Sequence, residues 1–125
     1  MNYKGTIIEE SLEDKSVLNS VQIIKTRVEQ VTEEDKTPWL KKWTLHTVEV
    51  SEDGASKIAE KLMEALESEH QWYIDYKNDK YHYIIFKDKV FKVDRSKEDE
   101  YTEATKHGIS LGIPSYQLDF SPEIL

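Results

Sequence analysis

Between His70 and Arg95 the chain reads His-Gln-Trp-Tyr-Ile-Asp-Tyr-Lys-Asn-Asp-Lys-Tyr-His-Tyr-Ile-Ile-Phe-Lys-Asp-Lys-Val-Phe-Lys-Val-Asp-Arg. Aromatic and β-branched residues fill three runs, 72–76, 81–86 and 90–94, with Asn78-Asp79 and Asp88 in the gaps. Such side chains suit a pleated, half-buried surface, and Asn and Asp suit turns, so the stretch predicts a three-strand antiparallel meander. A two-residue turn at Asn78-Asp79 sets Tyr76 opposite Tyr81, Ile74 opposite Tyr83 and Asp75 opposite His82. With side chains alternating, one face carries Trp72, Ile74, Tyr76, Tyr81, Tyr83 and Ile85. The other carries Tyr73, Asp75, His82, Ile84, Phe86, Phe91 and Val93. Neither face is polar enough to lie in water. One is therefore expected against helices. The other is expected against a chain segment, a partner subunit or a ligand, with the C-terminal tail as one cover.

The flanks supply the rest of a sheet. Residues 3–10 read as a strand, and Ser11-Leu12-Glu13-Asp14 resembles a capping box before a short helical turn over 15–18. Residues 21–31 and 42–50 read as strands, separated by a polar loop holding Pro38, Trp39 and Leu40. Across 53–68, Ala55, Ile58, Ala59, Leu62, Ala65 and Leu66 make an apolar stripe at helical spacing, with Ser51 or Asp53 placed to cap it. A second helix is expected over 97–107, capped by Ser96 and ended by Gly108. The tail, 108–125, is too apolar to be an appendage and should dock on the body.

The expected fold is α+β: one domain over 1–125, with an antiparallel sheet and two main helices packed on one face. The first six elements follow a ferredoxin-like βαββαβ order, with an added hairpin.

Cysteine is absent from the 125 residues, which excludes disulfides and thiolate metal sites and agrees with a reducing, cytoplasmic setting. No apolar run approaches a membrane span. The chain is acidic, with a net charge of −8, which argues against general binding to nucleic acid or anionic membrane. The meander is locally basic, however, and lysines among tyrosines could touch a single-stranded nucleic acid. The plainer role of strand lysines is to keep edges soluble.

For chemistry, the sharpest group is Glu69, His70, Asp75 and His82. A carboxylate beside an imidazole fixes its tautomer and raises its basicity, as an acid–base catalyst needs, so Asp75, His82 and His70 are the catalytic candidates. The competing reading is a cross-strand ion pair worth about 0.2–1 kcal/mol. No metal site and no cofactor are expected: His-Glu-x-x-His and Asp-rich calcium loops are both missing. His46 stands alone on a strand, His107 suits a helix end, and Gly108-x-x-x-Gly112 runs into Ile113-Pro114 rather than a helix, so it is no phosphate loop. Trp39, Trp43, Tyr73 and Tyr83 are the candidate contacts for a ligand or partner, against the alternative that they fill a small core.

The 70–87 stretch, Val90-Phe-Lys-Val-Asp, His107-Gly-Ile-Ser-Leu-Gly-Ile-Pro, Gln117-Leu-Asp-Phe, Thr37-Pro-Trp-Leu and Trp43-Thr-Leu-His together resemble a family of small single-domain bacterial and archaeal proteins. The resemblance spans almost the whole chain. It implies one compact cytoplasmic domain and carries no assigned activity, cofactor or catalytic residue.

Three functions fit these residues. The first is a small cytoplasmic binding or oligomerising module using an aromatic sheet face or the Trp39 loop, with a second copy or a protein ligand as partner. The second is a small-molecule-binding protein or small enzyme with an aromatic pocket and Asp75–His82 as acid–base pair. The third is a weak binder of single-stranded nucleic acid.

Overall fold

A computed structural model describes residues 1–31, 40–114 and 118. The loop expected around Pro38 and Trp39 falls largely outside these residues, as does most of the tail. The elements are β1 (Tyr3–Ile8), two short 3-10 turns (Glu9–Ser11 and Lys15–Ser20), β2 (Gln22–Gln30), β3 (Lys42–Val50), α1 (Ala55–Ala65), β4 (Tyr73–Lys77), β5 (Tyr81–Phe86), β6 (Val90–Asp94) and α2 (Glu98–Ser110). No helix among the described residues is long and apolar enough to cross a membrane.

Six strands form one sheet in the order β2-β3-β1-β4-β5-β6, every neighbouring pair antiparallel. Strands β1 and β2 are thus parallel to each other with β3 between them, and β3 and β4 are parallel with β1 between them. That is the doubly split βαβ arrangement of a ferredoxin-like core, with the β5–β6 hairpin added beside β4. The first crossover is not an α-helix. Its two 3-10 turns are hitched to the end of α1 through Glu13 N–H to Ala65 O (2.7 Å) and Glu67 N–H to Ser11 O (2.8 Å). The same contacts end α1 at Ala65, short of the expected Ser68, by drawing Leu66 into a bridge with Leu12.

The helices do not share a face. Stripe residues Ala55, Ala59, Leu62, Ala65 and Leu66 pack with Tyr3, Ile7, Val48, Val50, Ile74, Tyr76, Tyr83 and Ile85. Ala104 of α2 packs with Ile84, Phe86 and Val93, joined by Ile113 and Leu118. Ile84 and Ile85 are adjacent and point to opposite sides, so the expectation of both helices on one face is corrected to one helix on each. The reason is the one visible in the meander: both of its faces are apolar, and each needs a cover.

The β4–β5 turn also differs from expectation. Tyr76 pairs with Tyr83 and Lys77 with His82, so each partner lies two residues further along than a turn at Asn78-Asp79 would set it. Asn78 stands just before the turn, its N–H donating to Tyr81 O (3.0 Å) and its Oδ1 accepting from Lys80 N–H (2.9 Å) and Tyr81 N–H (2.8 Å), and the central turn positions move to Asp79-Lys80. A slip of two preserves both faces.

At the helix ends, Gly54 rather than Ser51 or Asp53 occupies the start of α1, with no side-chain cap. Ser96 does not cap α2 either. Its N–H and Oγ both donate to Asp94 Oδ1, and these bonds hold the Asp94 carboxyl below its ordinary value. Gly108 lies inside α2, whose stop is Gly112 at φ 94°. Ile113 N–H to Gly108 O (3.1 Å) and Gly112 N–H to Ile109 O (2.9 Å) form the closing pair of a Schellman motif.

Candidate functional site

Strand β4 presents Asp75 and β5 presents His82 on the α2 side of the sheet. They are diagonal rather than opposite, since Asp75 pairs with Ile84 and with Thr6 of β1. Their side chains meet nonetheless: His82 Nε2 lies 2.6 Å from Asp75 Oδ2. His82 Nδ1 lies 3.1 Å from the hydroxyl of Tyr101, in the first turns of α2. A neutral imidazole satisfies both, donating from Nε2 to the carboxylate and accepting at Nδ1 from Tyr101 O–H. Tyr101 also bonds Arg95, whose Nη1 donates to the Asn78 carbonyl. Burial raises the Tyr101 phenol above its ordinary value, the Arg95 guanidinium opposes that, and the nearby Asp75 adds to it.

The result is a polar chain, Asp75–His82–Tyr101–Arg95, that ties α2 to the meander. The imidazole is 0 % exposed, and Asp75 meets solvent through about a third of its side chain. A substrate outside the protein reaches Asp75 and not the histidine. Buried polar groups demand partners, and this chain supplies them.

The expected group of Glu69, His70, Asp75 and His82 divides in two. His70 lies on the α1–β4 connection, where Nδ1 is 2.8 Å from Glu67 Oε1; that oxygen also accepts from Trp72 Nε1 at 2.8 Å. Glu67 Oε2 accepts from Glu69 N–H. Burial works against ionisation of Glu67, but these hydrogen bonds outweigh it and hold the carboxyl below its ordinary value. Ligating atoms of Glu67, Glu69 and His70 come within 4.8 Å of one another, and the Glu67 carboxylate in this group is already engaged by His70 and Trp72.

The remaining histidines follow the same habit. His46 bridges Thr26 Oγ1 (2.7 Å) and Glu9 Oε1 (3.0 Å), and His107 Nε2 lies 2.9 Å from Asp88 Oδ1. All four histidines of the chain therefore sit against a carboxylate. Trp43 stands edge-on to Trp72 at 6.1 Å between centroids, Tyr73 is half-buried beside Phe86, and Tyr83 is buried against Tyr3 and Tyr76. Trp39 lies outside the described residues. A cleft of about 480 Å³ opens between the second 3-10 turn and α1, lined by Asp14, Ser16, Lys61 and Glu64 among others, away from the Asp75–His82 pair.

The meander's aromatic surfaces are thus spent on the core, and the accessible surface lies at the opposite edge. All nine residues of β2 are exposed, with Ile23 at 42 %, Ile24 at 49 % and Val28 at 54 %. Strand β2 ends the sheet, so among the described residues its outer backbone edge is unpaired. Beyond an irregularity between Ile23 and Lys25 the ladder to β3 is regular, from Lys25–Thr47 to Gln30–Lys42. Val31 N–H donates to Lys41 O, while Thr44 N–H, opposite Val28, turns away to Glu10 Oε1. Bonding alternates along an antiparallel ladder, so Lys25, Arg27 and Glu29 bond inward to β3, and Thr26, Val28 and Gln30 point N–H and C=O outward.

Sequence reasoning found Asp75–His82 and missed Tyr101 and Arg95, which arrive from outside the hairpin. It placed β2 as a strand but not as the edge. The signal was present: Lys25, Arg27 and Glu29 alternate with Thr26, Val28 and Gln30, a pattern with too little apolar surface for a central strand. No family model, no curated protein and no solved structure matches the chain.

Proposed function

We propose that the protein is a small cytoplasmic association module whose contact element is the edge strand β2. The observation that carries this reading is a nine-residue strand, exposed throughout, with an unpaired outer edge among the described residues. Natural sheets shorten, charge or cover such edges because they template pairing with another chain. The opposite edge, β6, is shortened to five residues and packed beside α2, whereas β2 is long and keeps Val28 half-exposed. Added-strand recognition draws affinity from main-chain bonds, which asks little of side-chain chemistry. This reading keeps the module function and moves its surface from the aromatic faces to the edge. The absence of cysteine supports the cytoplasmic assignment.

Native mass spectrometry of the purified chain tests it, with Val28→Pro as control. Val28 directs its N–H outward, so proline there removes an edge donor without breaking a bond to β3. The wild type should appear above its monomer mass of 14.7 kDa and the variant at it. A bare wild-type monomer at all concentrations would remove the proposal.

A further inference from the structure

The structure assigns the partner of β2: a second copy of this chain, whose β2 pairs antiparallel about a twofold axis through Val28. This rests on the association-module reading above and deepens it.

Backbone parity comes first. In the regular part of the strand, Thr26, Val28 and Gln30 offer outward N–H and C=O groups, so a pairing strand must set outward residues against outward residues. For two identical strands related by a twofold axis, that leaves registers centred on Thr26, Arg27, Val28 or Glu29 within the regular part of the strand.

Charge then selects among them. A centre on Arg27 sets Arg27 against Arg27 of the copy on the axis, which offsets part of what its two Lys25–Glu29 pairs contribute. A centre on Glu29 sets Glu29 against itself. A centre on Thr26 sets Lys25 against Arg27 twice. Like charges directly opposite destabilise a strand pair. The centre on Val28 sets Val28 against Val28, Thr26 against Gln30, and Arg27 against Glu29 twice. The Arg27–Glu29 positions are non-hydrogen-bonded pairs, where side chains approach most closely. Within one chain Arg27 Nη2 already lies 3.1 Å from Glu29 Oε1, both on the side of the sheet away from α1 and both half-exposed or more. The second copy completes a square of alternating charge around the axis. On the other side, the half-exposed Val28 side chains meet each other at the axis.

The product is a continuous sheet of two copies. It closes the exposed edge on each chain with the same patch, as a twofold homodimer requires.

Sedimentation equilibrium on the full chain tests the register through Arg27→Glu, Glu29→Arg and the double variant, with thermal melts to confirm that each remains folded. Each single change makes both cross-pairs like-charged and should weaken the dimer by about tenfold or more, and the double change restores opposite charges and should return it to within about threefold of wild type. A dimer indifferent to all three variants overturns the register and leaves an association module standing. A wild-type chain that carries a different protein, released by Val28→Pro, overturns self-pairing and again leaves the module. A double variant no better than either single change overturns the cross-pairs. A wild type that stays a bare monomer overturns both readings.

Discussion

Asp75 and His82 sit two places out of direct opposition across the β4–β5 hairpin, and yet Oδ2 and Nε2 are 2.6 Å apart. The diagonal contact works because both residues are on one face and the imidazole leans toward the carboxylate. It leaves the other ring nitrogen facing α2, where Tyr101 meets it. The pair therefore locks a helix to the sheet as well as one strand to its neighbour.

Removing the imidazole should expose that role. His82→Ala leaves a cavity and deprives Asp75 and Tyr101 of a buried partner, for an expected loss of about 2–4 kcal/mol in urea unfolding. Tyr101→Phe removes the hydroxyl's bonds to His82 and Arg95 and should cost about 1–3 kcal/mol. If His82→Ala unfolds at the wild-type urea midpoint, the bridge contributes nothing to stability.

Glu67 makes stability depend on pH. Its carboxyl is held below the ordinary value in the folded protein, so the folded state binds its proton less readily than the unfolded chain does. The stabilisation is full above the unfolded carboxyl's value, about 4.3, and is lost as pH falls through the lower folded value. Glu67→Gln should cost about 1 kcal/mol at neutral pH, and the gap from wild type should narrow as the solution is acidified through that window. Paired unfolding curves at neutral and acidic pH check this; a gap that widens on acidification contradicts it.

Gly5 of β1 pairs with Tyr76 of β4. A Cβ there would collide with the Asp75 carbonyl oxygen and come within 2.8 Å of Tyr76 Cα. These are backbone atoms and cannot swing aside. Gly5→Ala should therefore cost about 1–3 kcal/mol despite being a strand position where alanine ordinarily improves on glycine. A neutral result in a thermal melt would show that β1 and β4 can part without penalty.

Much of this fold was legible because local pattern and tertiary demand agree. All six strands lie within two residues, and both helices within three, of where periodicity puts them. The two faces of the meander were also legible, since alternation survives a two-residue slip. The turn itself was not: Asn78 was read as the first of two central turn residues, and it lies one place before them, its side chain accepting from the N–H groups of Lys80 and Tyr81. Gly108 and Gly112 both look like helix terminators, and only the Schellman bonds at Gly112 distinguish them. The polar chain was half legible, because Asp75 and His82 lie within one hairpin while Tyr101 reaches them only after α2 folds over the far face. The placement of α2 depends on which side of the sheet remains uncovered, which no window of sequence contains.

Amide hydrogen exchange, followed by NMR at several protein concentrations, tests the role of β2 most directly. The amides of Lys25, Arg27 and Glu29 bond inward and should be protected at every concentration. Those of Thr26, Val28 and Gln30 face outward, and their protection should rise with concentration and vanish on dilution. Alternating, concentration-dependent protection is the signature of a second β2 laid along this edge. Outward amides that exchange freely at all concentrations would contradict it.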